Sequence, residues 1–229
     1  MCDCWNEDVW HYLHSVARVT TMQAIKEKGA FLCVIASINR LLSCPSVQEA
    51  ITLFLETKPY NEYAMSNERL FYWTFLLREE YSRVVGIQAP TLEFLNEYYT
   101  PNKLTKDVWG PYHWRMLHLT LIRVKMENGV VPPSSRKYVK AFVTCHGLLL
   151  PCPSCKSHAW EYFTTNSIDE YLTTNFQMFE WSIKFHNAVN ERLNQETGSQ
   201  KRIYTPDEAL RLYLEVQPDA DFSSKWKGE

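Results

Sequence analysis

Leu149-Leu150-Pro151-Cys152-Pro153-Ser154-Cys155-Lys156-Ser157-His158 is the stretch on which the reading of this chain turns. Its two cysteines stand one helical turn apart, with proline at the first helical position. The spacing predicts a helix that starts at Cys152, carrying Cys155, Ala159, Tyr162 and Phe163 on one side. Free amides and the dipole at such a helix start stabilise a thiolate. Taken alone, a Cys-X-X-Cys pair admits three chemistries: a redox dithiol, half of a zinc site, or two ordinary core thiols.

The same turn occurs twice. Cys44-Pro45-Ser46-Val47 aligns with Cys152-Pro153-Ser154-Cys155 at an offset of 108 residues (152 against 44), as do Glu62-Tyr63 with Glu170-Tyr171, and Phe71 and Trp73 with Phe179 and Trp181. Upstream the offset is 104: Trp5, Trp10 and His14 match Trp109, Trp114 and His118 (109 against 5). Ordered matches of rare residue types point to an internal duplication. The copies differ where chemistry would lie. Val47 replaces Cys155, and Phe185-His186-Asn187-Ala188-Val189-Asn190 is matched by Leu77-Arg78-Glu79-Glu80-Tyr81-Ser82. Thr100 to Lys106 reads as the connector, with Pro101 a breaker.

Apolar residues recur at helical spacing nearly everywhere, as in Trp10, Leu13, His14 and Ala17, or Trp114, Leu117, His118 and Leu121. Helices are also predicted from about Phe176 to Asn194 and after Thr205-Pro206-Asp207-Glu208, a cap with a first-turn proline and a capping-box glutamate. Asn187 and Asn190 fall mid-helix, where asparagine is a poor helix former, so something besides propensity holds them there. Only seven glycines among 229 residues also favours helices. The fold expectation is all-α. The net charge of −2 gives no reason to expect a nucleic-acid or acidic-membrane partner. No apolar run is long enough to span a bilayer, and Met1-Cys2-Asp3-Cys4-Trp5 opens no secretory signal, so a soluble protein is expected. The odd count of seven cysteines argues against a fully paired secreted framework.

A structural zinc site wants four ligands, but the second half offers one cysteine pair, a lone Cys145 and scattered histidines without a second ligand pair, so no metal is expected. Cys33, Cys44 and Cys145 read as core thiols. A helical redox dithiol without a βαβ context needs another electron acceptor. A flat aromatic cofactor would need a slot of aromatic, histidine and asparagine side chains, which Trp114, His118, Trp181, His186, Asn187 and Asn190 could supply.

Three motifs in order carry a family likeness: Trp109-Gly110-Pro111-Tyr112-His113-Trp114-Arg115-Met116-Leu117-His118, then Pro151-Cys152-Pro153-Ser154-Cys155, then His186-Asn187-Ala188-Val189-Asn190-Glu191-Arg192-Leu193. This arrangement resembles the Erv/ALR family of FAD-dependent sulfhydryl oxidases over roughly Val108 to Asn194, with a fainter trace to Trp226. The resemblance implies two tandem Erv-like helical bundles forming an intramolecular pseudo-dimer. Residues 1–100 would be a degenerate copy replacing the usual homodimer partner, and residues 101–229 the catalytic domain with FAD in its four-helix bundle. It implies that Cys155 faces the flavin as the charge-transfer thiolate and that Cys152 exchanges with protein thiol substrates, electrons passing to FAD and then to oxygen as hydrogen peroxide. Trp109, Gly110, His113, Trp114, His118 and Trp181 carry over as cofactor contacts. So do His158, His186, Asn187, Val189 and Asn190, with Arg192, Lys201 and Trp226 toward the phosphates and adenine edge. Cys2-Asp3-Cys4 would serve as a shuttle pair. The family's Gly-Lys-Pro after Asn-X-X-Leu is absent, and the basic residues arrive late, at Lys201 and Arg202. Divergent duplicated members are reminiscent of large DNA viruses, which would place the protein in host cytoplasm or virion. The competing reading is a non-catalytic helical module that keeps only the family core.

Overall fold

The computed structural model describes residues 4–20 and 25–215, and the described chain is helical throughout, with one isolated bridge between Glu127 and Val130. Five helices form the first half: α1 (Glu7–Val19), α2 (Ile25–Leu42), α3 (Pro45–Thr57), α4 (Asn67–Val85) and α5 (Leu92–Tyr98). Five form the second: α6 (Lys106–Arg123), α7 (Pro133–Leu148), α8 (Pro153–Thr165), α9 (Asn175–Thr197) and α10 (Pro206–Glu215). The sequence offset carries into structure. Helices α3 and α8 begin and end at matching residues, each is followed by a 3₁₀ turn, and α4 and α9 open at matching Asn67 and Asn175. The connector is shorter than expected. Pro101–Lys103 is a 3₁₀ turn, but Lys106 already belongs to α6, because the amides of Val108 and Trp109 bond the Thr105 carbonyl.

Local chemistry explains the boundaries. Pro45 and Pro153 sit in first turns, where no amide proton is missed. Ser66 caps α4 through the Arg69 amide, and Thr174 with Gln177 closes a capping box on α9. Gly86 and Gly198 end these helices at φ of 74° and 66°, a left-handed conformation that glycine adopts without strain. The Thr205–Glu208 box starts α10.

Matched side chains make matched bonds. His14 Nδ1 lies 2.9 Å from Thr74 Oγ1, as His118 Nδ1 lies 2.8 Å from Ser182 Oγ. Trp73 Nε1 donates to Lys58 O, and Trp181 Nε1 to Asn166 O. Between the halves, α1 packs on α6 and α2 on α7, so each of these helices meets its own counterpart. One core cluster runs through both halves, with Phe31 on α2 and Phe142 on α7 wholly buried, and a smaller one joins α9 to α10. Truncating either ring to alanine would cost about 3–5 kcal/mol.

Candidate active site

Cys152 is the N-cap of α8, and its sulfur accepts a hydrogen bond from the Cys155 amide at 3.3 Å. Ser154 Oγ lies 3.1 Å from the same sulfur. Partial burial alone would raise the Cys152 pKa. The hydrogen bonds from the Cys155 thiol, Ser154 and the Cys155 amide, with the Lys106 charge, outweigh it and hold this thiol below the ordinary range. Cys155 goes the other way. Burial, then the hydrogen bond and charge of Cys152, push it up to about 11, against the pull of Lys106 and Arg192. In the reduced protein the first proton therefore leaves from Cys152. Iodoacetamide at neutral pH is expected to label Cys152 at least about tenfold faster than Cys155, since only the thiolate reacts. Peptide mass spectrometry reads the ratio, and equal labelling would refute the assignment.

Cys155 opens into a cavity of about 670 Å³, and so do Trp109, Gly110, His113, Trp114, His158, His186, Val189 and Asn190. A Cβ added at Gly110 would meet no protein atom within 4 Å, so the bare backbone there leaves space in the cavity. Trp114 and His186 stack at 4.0 Å with planes 10° apart, and His118 lies behind them, wholly buried. Burial keeps both histidines neutral, His118 well below its usual pKa and His186 at about 4. Their protons can then be assigned. Ser182 Oγ donates to Phe179 O, so it accepts from His118 Nδ1–H. His118 Nε2 is thus the acceptor from His186 Nδ1–H, 3.1 Å away. The remaining nitrogen of His186 carries a lone pair.

The mid-helix asparagines have a mechanical reason to be there. Asn187, Asn190 and Asn194 lie along one face of α9 and bind the backbone of the segment leading to α10. Asn187 exchanges two bonds with Tyr204, Asn190 donates to Arg202 O, and Asn194 bonds both the amide and the carbonyl of Lys201. This ladder brings the late basic residues Lys201 and Arg202 to the cavity wall. Lys106, Arg115 and Arg192 also line it, making five basic side chains against the single acid Asp107. Such a wall suits an anionic ligand.

Of the residues expected at the cofactor, His118, Trp181 and Asn187 stand outside the cavity lining, His118 as support for His186, Asn187 as an anchor for Tyr204, and Trp181 as a core residue bonded to Asn166 O. Cys2 and Trp226 lie outside the described residues. Cys4 is disulfide-bonded, and its sulfur accepts from the Cys44 amide at 3.1 Å, so it sits at the start of α3. Sequence reading missed Arg115, His146, Tyr204 and Tyr213. Arg115 stood within a quoted motif, but the other three reach the cavity only through long-range packing. Among the described residues no cluster of His, Cys, Asp or Glu could hold a metal ion, and no helix is long and apolar enough to cross a membrane.

The first half keeps the frame and changes the side chains beside its tryptophans. Tyr81, the counterpart of Val189, stacks on Trp5 at 5.7 Å and accepts a hydrogen bond from its amide. Arg78, the counterpart of His186, is buried over Trp10, and its Nη2 donates to both carboxylate oxygens of Glu7. A guanidinium and a phenol thus stand beside Trp10 and Trp5 at the positions that His186 and Val189 hold in the second half.

The model of the Erv1 / Alr family matches residues 111–208, all within the second half. The chain is 35% identical over 122 residues to the FAD-linked sulfhydryl oxidase of an African swine fever virus isolate (Warthog/Namibia/Wart80/1980), spanning 52% of this chain and 95% of that protein. A Kenyan pig isolate of the same virus gives the same identity and coverage. A protein of Invertebrate iridescent virus 3 is 28% identical over 97 residues, 42% of this chain and 64% of the relative. No solved structure matches the chain significantly.

Proposed function

Because this chain belongs to the Erv1 / Alr family, we propose that it is an FAD-linked sulfhydryl oxidase that makes disulfides in protein substrates. One observation carries the reading. Cys155 opens into the aromatic, cation-lined cavity while its partner Cys152 caps the helix with a stabilised thiolate.

The residues present fit FAD. The cavity volume falls in the range of about 300–1,000 Å³ usual for cofactor sites, and its lining is aromatic and basic. Both ring nitrogens of His113 and the Nδ1 atoms of His146 and His158 are buried without a hydrogen-bond partner, which a polar ligand would supply. Trp114, His186 and Val189 would flank the ring system, with Lys201, Arg202 and Arg192 toward the phosphates. FAD, when bound, supplies the acceptor for the dithiol's electron pair and its transfer to oxygen as hydrogen peroxide.

The protein's own step is thiol–disulfide exchange. A substrate thiolate attacks Cys152 Sγ of the Cys152–Cys155 disulfide, and Cys155 departs as a thiolate. With Cys152 tied up in the mixed disulfide, its hydrogen bond and charge no longer raise the Cys155 pKa. Burial then stands alone against the attraction of Lys106 and Arg192, which makes Cys155 a better leaving group than in the dithiol. A second substrate thiolate attacks the mixed disulfide and releases Cys152.

Residues 1–100 take the place of a second subunit. Supporting this, α1 meets α6 and α2 meets α7, the self-matching contact of a two-fold interface. Cys2 and Cys4 would relay electrons from substrates to Cys152. The viral relatives are in keeping with a virus-encoded enzyme acting in host cytoplasm or virion.

The purified protein is expected to be yellow, to release FAD on denaturation, and to consume oxygen when given dithiothreitol. A colourless protein inert toward dithiols would favour the non-catalytic helical module.

A further inference from the structure

Arg115 lines the cavity from α6, and the carboxylate that holds it comes from the other half. Its Nε donates to Asp8 Oδ1 at 2.5 Å, with Nη2 at 3.4 Å from Oδ2. Asp8 on α1 is 1% exposed and also accepts from Asn6 Nδ2 at 2.6 Å. A buried carboxylate is costly unless paired, so Asp8 fixes the guanidinium firmly.

The duplication supplies a control. Under the 104-residue offset, Asp8 corresponds to Tyr112 and Arg115 to His11. At that related position the pair is an uncharged stack, His11 on Tyr112, with centroids 4.6 Å apart and planes at 6°. Two equivalent places between the halves thus carry different chemistry. The charged version is the one beside the open cavity. Nearby, Tyr12 of α1 stacks on His146 at 5.1 Å and meets His113 edge-on at 4.8 Å, so two more cavity residues lean on the first half.

We infer that Asp8 is a positioning residue for the cofactor, aiming Arg115 at a hydrogen-bond-accepting part of FAD. The first half thereby completes the cofactor site as well as packing against it. The inference rests on the FAD reading above. Arg115 would face either the anionic pyrophosphate or the hydrogen-bond-accepting pyrimidine edge of the flavin, two acceptor features of one ligand.

The test is a double-mutant cycle on the yellow, full-length protein, reading FAD dissociation as recovery of free-flavin fluorescence on dilution. Asp8→Asn is expected to speed FAD loss at least about tenfold, Arg115→Gln similarly, and the double variant no more than Arg115→Gln alone. An Asp8→Asn off-rate within about twofold of wild type, or effects that multiply independently, would overturn the inference. Should Asp8→Asn not fold, Arg115→Lys keeps a cation for Asp8 and is expected to speed FAD loss without lowering the melting temperature. An unchanged off-rate there is equally fatal. Faster loss with a shifted flavin absorption spectrum places Arg115 at the pyrimidine edge, and faster loss with an unshifted spectrum places it at the pyrophosphate; both uphold the inference. Colourless wild-type protein would instead refute the FAD reading itself.

Discussion

Cys155→Ser is expected to lower dithiol-driven oxygen consumption by about a thousandfold or more, the scale seen when an enzyme loses a reacting atom, while FAD stays bound. The substitution removes the sulfur that opens into the cavity and leaves the rest of the site. Helix α8 is capped by Cys152, and the Cys155 amide that bonds this cap is backbone, so the helix start survives. An oxygen electrode reads activity, and visible absorbance reads occupancy. Oxygen uptake at the wild-type rate in a yellow Cys155→Ser protein would sink the mechanism. Loss of colour along with activity would make Cys155 a determinant of binding instead.

Acid is expected to unfold the protein at an unusually mild pH. Five histidines are buried in the core: His11, His14, His113, His118 and His146. Burial first, and neighbouring positive groups after it for His11, His14 and His118, hold every one below its ordinary pKa, with His11 and His146 at about 3. A histidine depressed in the folded state stabilises it above the unfolded pKa of about 6.5, and that contribution drains away as pH falls toward the folded value. The rate is about 1.4 kcal/mol per pH unit for each. By pH 5 each has given up about 2 kcal/mol, and several together rival a total stability of about 5–15 kcal/mol. Near-ultraviolet circular dichroism should collapse with a midpoint near about pH 5. A cooperative native signal persisting to about pH 3 would contradict the neutral-histidine assignment.

Much of this architecture could be read from particular residues. The offset between Cys44-Pro45-Ser46 and Cys152-Pro153-Ser154 foretold α3 and α8, because proline after a capping residue is a local signal. Thr205-Pro206-Asp207-Glu208 foretold α10 for the same reason. The cavity was only half legible. His186 and Val189 stand at helical spacing within one motif, so their shared face was visible, and Trp114 stood out in another motif. His146 and Tyr213 come from helices whose pattern says only that they are buried, and their neighbours are decided by packing between segments far apart in sequence. Asn187 and Asn190 were noticed as out of place, yet their partners, Tyr204 and Arg202, lie in a loop with no periodicity to read. The role of the replacing side chains in the first half was equally hidden. Tyr81 and Arg78 look like ordinary helix residues until the duplication sets them against Val189 and His186.

The packing of α1 on α6 and of α2 on α7 joins segments of one covalent chain. A homodimer holding the same contacts comes apart as it is diluted, and its melting temperature follows protomer concentration. Here each surface meets its counterpart at an effective concentration set by the tether, of order millimolar for short linkers, however few molecules are present. The Pro101–Lys103 turn between α5 and α6 keeps that tether short. The molecule therefore keeps its two halves together however far it is diluted.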